Sequence, residues 1–339
     1  MTKPRPIPTL QDVADKSGVS TATVSRCLNF PDQVAAKTRD RVMEAVRALG
    51  YSPNFGARMM AAKRTFTFGA IIPTMENAMF ARGLQAFQEE LHDKGYTLLV
   101  ASSSYRADIE EEQIRTLVAR GAEGLLLIGH GRDPAIYDFL DAQGVPALVT
   151  WAVDRAEARP SVGFDNRAAM RAMAEKVLSL GHRRIGVINV EVSSNDRARA
   201  RLEGIRDAIN ATEGTTLQLI QTPYGIENGA AAFERLMTAA LPPTVVIAGN
   251  DALAVGALRQ ARVMGLDVPG DVSVTGFADI ELAQVAVPSL TTVHVPHQEM
   301  GRRAARALIG RVQDGVAFQT QELAAELRLR ESLGPPPTS

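Results

Sequence analysis

From Thr67 onward, short runs rich in β-branched residues alternate with longer amphipathic stretches, and this alternation restricts the possible folds more than any other feature of the chain. The strand-like runs fall at 67–72, 97–102, 124–128, 147–150, 185–189, 217–221, 244–248 and 272–276. The helical stretches between them include 80–94, 109–120, 167–180, 198–211, 229–240 and 252–264. A β–α alternation cannot be joined by hairpins, because parallel neighbours need a crossover. It therefore predicts an α/β fold of doubly wound parallel sheets. About eight such units divide near 162–165 into two halves. In this architecture ligands sit beyond the C-terminal ends of strands, so two lobes place the natural site in the cleft between them.

The length of 339 residues leaves room for one further domain before residue 67. Residues 1–64 hold eleven lysines and arginines against five acids, a net of +6, which leaves −7 for the rest of the chain. A basic head on an acidic body suits a head that meets a polyanion and a body that does not. Residues 9–49 read as three short helices. Thr9-Leu10-Gln11-Asp12 has the form of a capping box, Ser17-Gly18-Val19 breaks the first helix, and Ser20 is a suitable N-cap for a second. A third, from about Lys37 to Leu49, has Val42, Ala45, Val46 and Leu49 on one face, with Gly50 after it as a stop.

Two helices joined by a tight glycine turn make a helix-turn-helix, in which the start of the second helix faces base edges in the major groove. Those residues are Thr21 and Ala22, with Arg26 a turn later. Arg26 can pair bidentately with guanine, and Thr21 can bond a base or meet a thymine methyl. Thr9, Ser20, Thr23, Ser25, Asn29, Thr38, Tyr51 and Asn54 are candidates for phosphate contacts, which set register. The competing reading is a three-helix bundle whose surface hydroxyls are merely solvated. Cys27 reads as a small packing residue.

The run from Thr9 to Asn54, TLQDVADKSGVSTATVSRCLN followed by VAAKTRDRVMEAVRALGYSPN, strongly resembles the DNA-binding head of the LacI/GalR family of bacterial repressors. The resemblance implies that Thr21 and Ala22 are variable base readers and Arg26 a shared one. It also implies that the segment 53–65 is a hinge that folds in the minor groove, with Ala57 and Arg58 at the DNA. Met60 stands there where the family carries a wedging leucine. By composition alone the segment reads as a linker, since nucleation is not repaid below ~12 residues. The body resembles the effector domain of the same family, itself similar to periplasmic sugar-binding proteins. Its landmarks are GFDNRAAMRAMAEKVLSLGHRRIGVI, NDRARARLEGI, AGNDALAVGALR, DVSVTGF and PSLTTV.

Carried over by position, the effector-binding residues would be Met79, Phe80, Trp151, Asn195, Arg197, Arg201, Tyr224, Asn250 and Ala278. The aromatic rings among them suit stacking on a sugar ring or acyl chain; Asn250 and Arg201 suit bonds to oxygens. For Met79 and Phe80 the alternative is packing on a helix face. Asp251 reads better as the cap of the helix 252–264 than as a ligand group. Ala278 stands where the family often has an acid that accepts from ligand hydroxyls, and Asp279 is the acid left nearby that could replace it. Losing a carboxylate while keeping Arg197 and Arg201 favours an anionic ligand, a sugar acid such as gluconate or another small carboxylate.

The expected organisation is a head at 1–52, a hinge at 53–65 and a bilobed effector and dimerisation unit at 66–332. Its first lobe takes 66–163 and 294–319, its second 164–293 and 320–332, and 333–339 form a disordered tail. The resemblance implies a homodimer on a palindromic operator in double-stranded DNA, switched by a small molecule and acting as repressor of a carbohydrate or sugar-acid operon. With no heptad tail after Gly334-Pro335-Pro336-Pro337, a tail-built tetramer is not expected. No apolar window approaches ~18 residues and the first residues lack an apolar signal core, so a cytoplasmic, nucleoid-associated protein is expected, not a membrane or transport one. One cysteine and five scattered histidines call for no metal, and no phosphate-loop, dinucleotide, zincin or hydrolase motif calls for a cofactor or an enzyme.

Overall fold

The computed structural model describes residues 8–52, 64–155 and 159–337. The chain divides between Thr65 and Phe66 into two units. The first contains α1 (Leu10–Ser17), α2 (Thr21–Asn29), a 3₁₀ turn (Pro31–Gln33) and α3 (Ala36–Leu49). Thr9 and Asp12 form the reciprocal capping box on α1, and Gly18 ends that helix at φ 62°, a left-handed position open to glycine. The turn it makes lets α2 start at once from the Ser20 cap. Val13, Ala14, Val24, Cys27, Val42 and Ala45 from all three helices fill the core, so Cys27 packs as expected.

The second unit holds two parallel sheets, in agreement with the predicted α/β class. Strands β1 (Thr67–Ile72), β2 (Thr97–Ser102), β3 (Leu125–Ile128), β4 (Ala147–Thr150), β5 (Ser161–Gly163) and β11 (Gln321–Glu322) form one sheet in the order β11-β5-β4-β3-β1-β2. Strands β6 (Arg184–Asn189), β7 (Thr216–Gln221), β8 (Val245–Ala248) and β9 (Ser273–Thr275) form the other in the order β7-β6-β8-β9. A two-stranded antiparallel ribbon, β10 (Thr292–His294) with β12 (Glu326–Arg328), accompanies them. Crossovers near the first sheet are α4 (Ala78–Asp93), α5 (Ala107–Ala119) and α6 (Pro134–Ala142), joined by the late α12 (His297–Asp314). The second lobe has α7 (Asn166–Ser179), α8 (Asp196–Asn210), α9 (Ile226–Met237), α10 (Asp251–Val263) and the short α11 (Glu281–Val285).

The inner strands read as apolar runs because both faces are covered; β1, β3 and β8 are buried throughout. α12 returns across the first lobe and lies against α4 through Gly83 and Gly301. A Cβ on Gly301 would sit 2.0 Å from the Gly83 carbonyl oxygen, and one on Gly83 would sit 2.4 Å from the Trp151 ring. Only glycine permits this approach, and it brings Trp151 into the core beside Phe80.

Two boundary expectations are corrected. Gln321 and Glu322 pair with β5, so the final return to the second lobe comes after residue 322 rather than at 320. Residues 333–337 are not a free tail. The buried His182 donates from Nε2 to the Gly334 carbonyl at 2.8 Å, Gly334 N donates to Ser273 Oγ at 3.1 Å, and Leu333 packs on the main core. A buried imidazole and a buried hydroxyl both need partners, and this terminal segment supplies them. Among the described residues no helix is long and apolar enough to cross a membrane.

Candidate nucleic-acid interface and ligand cleft

On α2 the apolar side chains Val24, Cys27 and Leu28 turn to the core, which leaves Ala22, Ser25 and Arg26 together at i, i+3, i+4 spacing. Ala22 and Arg26 are exposed; Thr21, Thr23 and Ser25 are half-buried. Ser20 accepts the Thr23 amide at 3.2 Å and its hydroxyl lies 2.9 Å from that of Thr23, so these two hydroxyls also order the start of the helix. Thr9 donates its hydroxyl to Asp12 at 2.7 Å, and this bond holds the Asp12 carboxyl below the usual carboxylate range. Asn29 ends α2, Thr38 lies in the first turn of α3, and Tyr51 packs under the bundle just beyond it. Asn54, Ala57, Arg58 and Met60 lie outside the described residues.

In the second unit a cavity of about 770 Å³ opens between the two lobes. Its first-lobe wall is the segment after β1, from Thr74 to Ala78, with Ser104 and Tyr105 after β2. Its second-lobe wall includes Asn195, Tyr224, Asn250, Ile280 and Leu282. Asn195 and Asn250 each cap a helix: their Oδ1 atoms accept the amides of Ala198 at 3.2 Å and Leu253 at 2.9 Å. Among the described residues no further bond engages their side-chain N–H groups. Asn250, not Asp251, is therefore the cap of α10, which begins one residue earlier than expected. Asp251 is buried, accepts the Ile280 amide at 2.8 Å and the Thr292 hydroxyl at 2.5 Å, and is pushed up to about 6, chiefly by burial.

Arg201 lies behind Tyr224. It is 4% exposed, donates to the Tyr224 hydroxyl at 3.1 Å and to Asn166 Oδ1 at 2.7 Å, and stacks 4.7 Å from the centre of the Phe277 ring. Among the described residues no carboxylate reaches ion-pair distance of it, its Nε has no partner, and burial lowers its pKa. A buried cation with only neutral partners is a costly arrangement unless an anion or a strong acceptor completes it. Tyr105 is a site residue the sequence reading missed. Its ring centre is 5.7 Å from that of Tyr224, so one tyrosine from each lobe meets over the cavity. Burial raises its pKa above the ordinary phenol value. The signal was available: Tyr105 follows the end of β2 by three residues, at the strand end where this architecture puts ligands.

The remaining expected ligand residues are placed elsewhere. Phe80 and Trp151 are each 1% exposed and meet edge to face at 5.6 Å within the core, where the close approach of α12 seals them off. Met79 packs on the same cluster. Arg197 borders a separate cavity of about 350 Å³ and donates to the Ile128 carbonyl at 2.9 Å. Ala278 is buried, with its amide on Val293 and its carbonyl taking His297 Nε2 at 3.0 Å. Asp279 does not stand in for the missing acid, because Arg330 at 2.6 Å and His294 at 2.9 Å already engage both its oxygens.

A basic helix-turn-helix unit and a two-lobed cleft unit thus occur in one chain, and comparison with known proteins assigns the pair. Residues 9–54 match the family described as bacterial regulatory proteins, lacI family, and residues 174–333 match the periplasmic binding protein-like domain. The HTH-type transcriptional regulator GntR of Pseudomonas aeruginosa is 32% identical over 330 residues, spanning 96% of this chain and 95% of that one. The chain belongs to the LacI family of bacterial regulatory proteins. A LacI-family regulator from Silicibacter pomeroyi has a similar structure, at TM-score 0.87, 29% identity, and coverage of 96% and 99% of the two chains. The Lac repressor dimer bound to operator and the anti-inducer ONPF is also similar, at TM-score 0.83, 26% identity, and coverage of 96% and 98%. Members of this family regulate transcription through ligand-responsive DNA binding, and this chain carries both of the units that task needs.

Proposed function

We propose that this LacI-family regulator is a cytoplasmic, nucleoid-associated repressor of a sugar-acid or related carbohydrate operon. It grips a palindromic operator as a homodimer and is switched by an anionic sugar derivative, such as an aldonate, in the cavity between the lobes. Residues 1–52 act as the head, 53–65 as the hinge and the lobes from 66 as the effector and dimerisation unit. Thr21, Ala22 and Arg26 read bases, with Arg26 the strongest single contact. Thr9, Ser20, Thr23, Ser25, Asn29, Thr38, Tyr51 and Asn54 position the head on phosphates. Ala57, Arg58 and Met60 enter the minor groove. The protein acts by binding, not by catalysis.

The observation that carries the effector reading is Arg201, a buried guanidinium bonded to the cavity residue Tyr224, with no carboxylate among the described residues at ion-pair distance. Asn195, Asn250 and the tyrosine pair supply donors and stacking faces for a polyol. The dimer is supported by the solved Lac repressor, a dimer on operator, and by the need of a palindrome for two heads. Calorimetric titration of the full chain with aldonates and with the matching neutral hexoses tests the effector reading. Tight aldonate binding that Arg201→Met abolishes is expected, and tight binding of the neutral hexose alone refutes it. Gel-shift titration against palindromes from the flanking DNA, with and without aldonate, tests the regulatory reading; no salt-sensitive, sequence-selective shift under either condition refutes it.

A further inference from the structure

We propose that Asp196 and Arg197, in the first turn of α8, clasp the loop after β3 and hold the two lobes together, and that Asp196 is the positioning residue that sets how readily the lobes part. The clasp is built wholly from protein groups. Asp196 Oδ2 accepts the backbone amide of His130 at 2.6 Å and that of Gly131 at 3.2 Å, from a residue more than sixty positions away in the other lobe. Asp196 Oδ1 accepts from Arg197 Nη1 at 2.9 Å, and the same Nη1 donates to the Ile128 carbonyl at 2.9 Å. Carboxylate to amide and guanidinium to carbonyl are both charge-assisted bonds, stronger than neutral ones.

The loop that receives the clasp is held ready for it. Arg132, buried behind the loop, donates to the Gly129 carbonyl at 2.7 Å and to the Ile128 carbonyl at 3.3 Å, and is itself fixed by Glu110 at 3.0 Å and the Tyr137 hydroxyl at 2.5 Å. Gly129 has φ 74°, and a Cβ there would fall 1.9 Å from Arg197 Nη1 and 2.5 Å from Asp196 Oδ1. The loop is therefore shaped to admit those two side chains and has no space for one of its own. Burial pushes the Asp196 carboxyl up, but Arg197 and the amides it accepts outweigh that and leave it below the usual carboxylate range. It stays charged across physiological pH. Asp196 and Arg197 border the smaller cavity and are absent from the wall of the 770 Å³ one, so the clasp acts on the lobes without forming part of that wall.

The consequence is a bias on the lobe equilibrium. A ligand that binds the closed lobes gains apparent affinity in proportion to the fraction already closed, and a clasp raises that fraction. The test reads the lobes directly, with no effector added. Spin labels on Ala135→Cys in α6 and Arg206→Cys in α8, both exposed positions, report the distance between lobes in the full chain carrying Cys27→Ala. With Asp196 present one narrow distance is expected. Asp196→Ala removes two charge-assisted bonds between lobes, and the ratio of parted to closed molecules is expected to rise at least tenfold. Asp196→Asn, which keeps an acceptor without the charge, should fall between. Gly129→Ala, which forces the loop off the clasp while leaving Asp196 intact, should part the lobes as well, and it carries the test if Asp196→Ala does not fold. An unchanged distance distribution in the folded variants overturns the proposal. Failure of the aldonate titration leaves it standing, because the distance is measured without effector.

Discussion

His297 and Asp251 are two buried titrating groups whose effects on stability oppose each other, and separating them tests the electrostatics of the two-lobed unit's interior. His297, at the start of α12, gives its Nε2 proton to the Ala278 carbonyl, and its Nδ1 has no partner among the described residues. Burial lowers it from 6.5 to about 4. Between those values the unfolded chain holds the extra proton, so His297 makes stability rise with pH from about 4 to 6.5. Asp251 is raised by burial from 3.8 to about 6, so over that window the folded chain holds the extra proton and stability falls as pH rises. At about 1.4 kcal/mol per pKa unit, each shift amounts to about 3 kcal/mol with opposite sign. Between pH 4 and 6 this pair should nearly cancel. Asp251→Asn should expose the histidine and leave stability climbing by about 3 kcal/mol from pH 4 to 6.5, relative to the parent. His297→Gln, which retains a donor for the Ala278 carbonyl, should expose the aspartate and show the reverse slope. Urea unfolding followed by Trp151 fluorescence reads the two-lobed unit alone, since this is the only tryptophan and it lies in that core. Parallel pH profiles for the parent and both variants would refute the assignment of these shifts.

Arg26→Ala should cost roughly 1–3 kcal/mol at one operator base pair and relax specificity there, read by gel shift against single-base variants of the site. Gly301→Val should destabilise the two-lobed unit by on the order of 3 kcal/mol, because its side chain would enter the Gly83 backbone; denaturant midpoints at constant m-value check this. Ser20→Ala should cost about 1 kcal/mol of head stability through loss of the cap on the Thr23 amide, seen as a lower thermal midpoint of the head.

The fold was legible wherever one periodicity dominated. The eight strand runs each correspond to an observed strand within about a residue or two: buried inner strands such as β1, β3 and β8 are apolar runs, the part-exposed edge strands β2 and β7 still carry enough aliphatic residues to stand out, and a crossover helix is amphipathic. What escaped the reading has no such signature. β5, β10, β11 and β12 are two or three residues long, too short for any period to show. The docking of Leu333 and Gly334 depends on His182 and Ser273, residues far away in the chain whose needs cannot be read from a proline-rich terminus.

The site was legible in its residue types and less so in its assignments, for a different reason. A sequence displays which side chains could bond a ligand, but not which bonds the protein has already used. Asn195 and Asn250 spend one atom on helix caps and keep another for the cavity. Asp279 has both oxygens engaged by Arg330 and His294, and Arg197 holds the Ile128 carbonyl. Trp151 was read as a stacking face from position, and Phe80 either as that or as helix-face packing; two glycines on α4 and α12 bring the helices so close that both rings become core. Tyr105 went unread although it obeys the strand-end rule, because it falls in a polar loop with no apolar pattern around it. Subtracting the satisfied groups leaves, among the described residues, Arg201 as a buried charge near the cavity with only neutral partners. A search for effectors of such proteins is therefore better guided by unspent donors than by motif position.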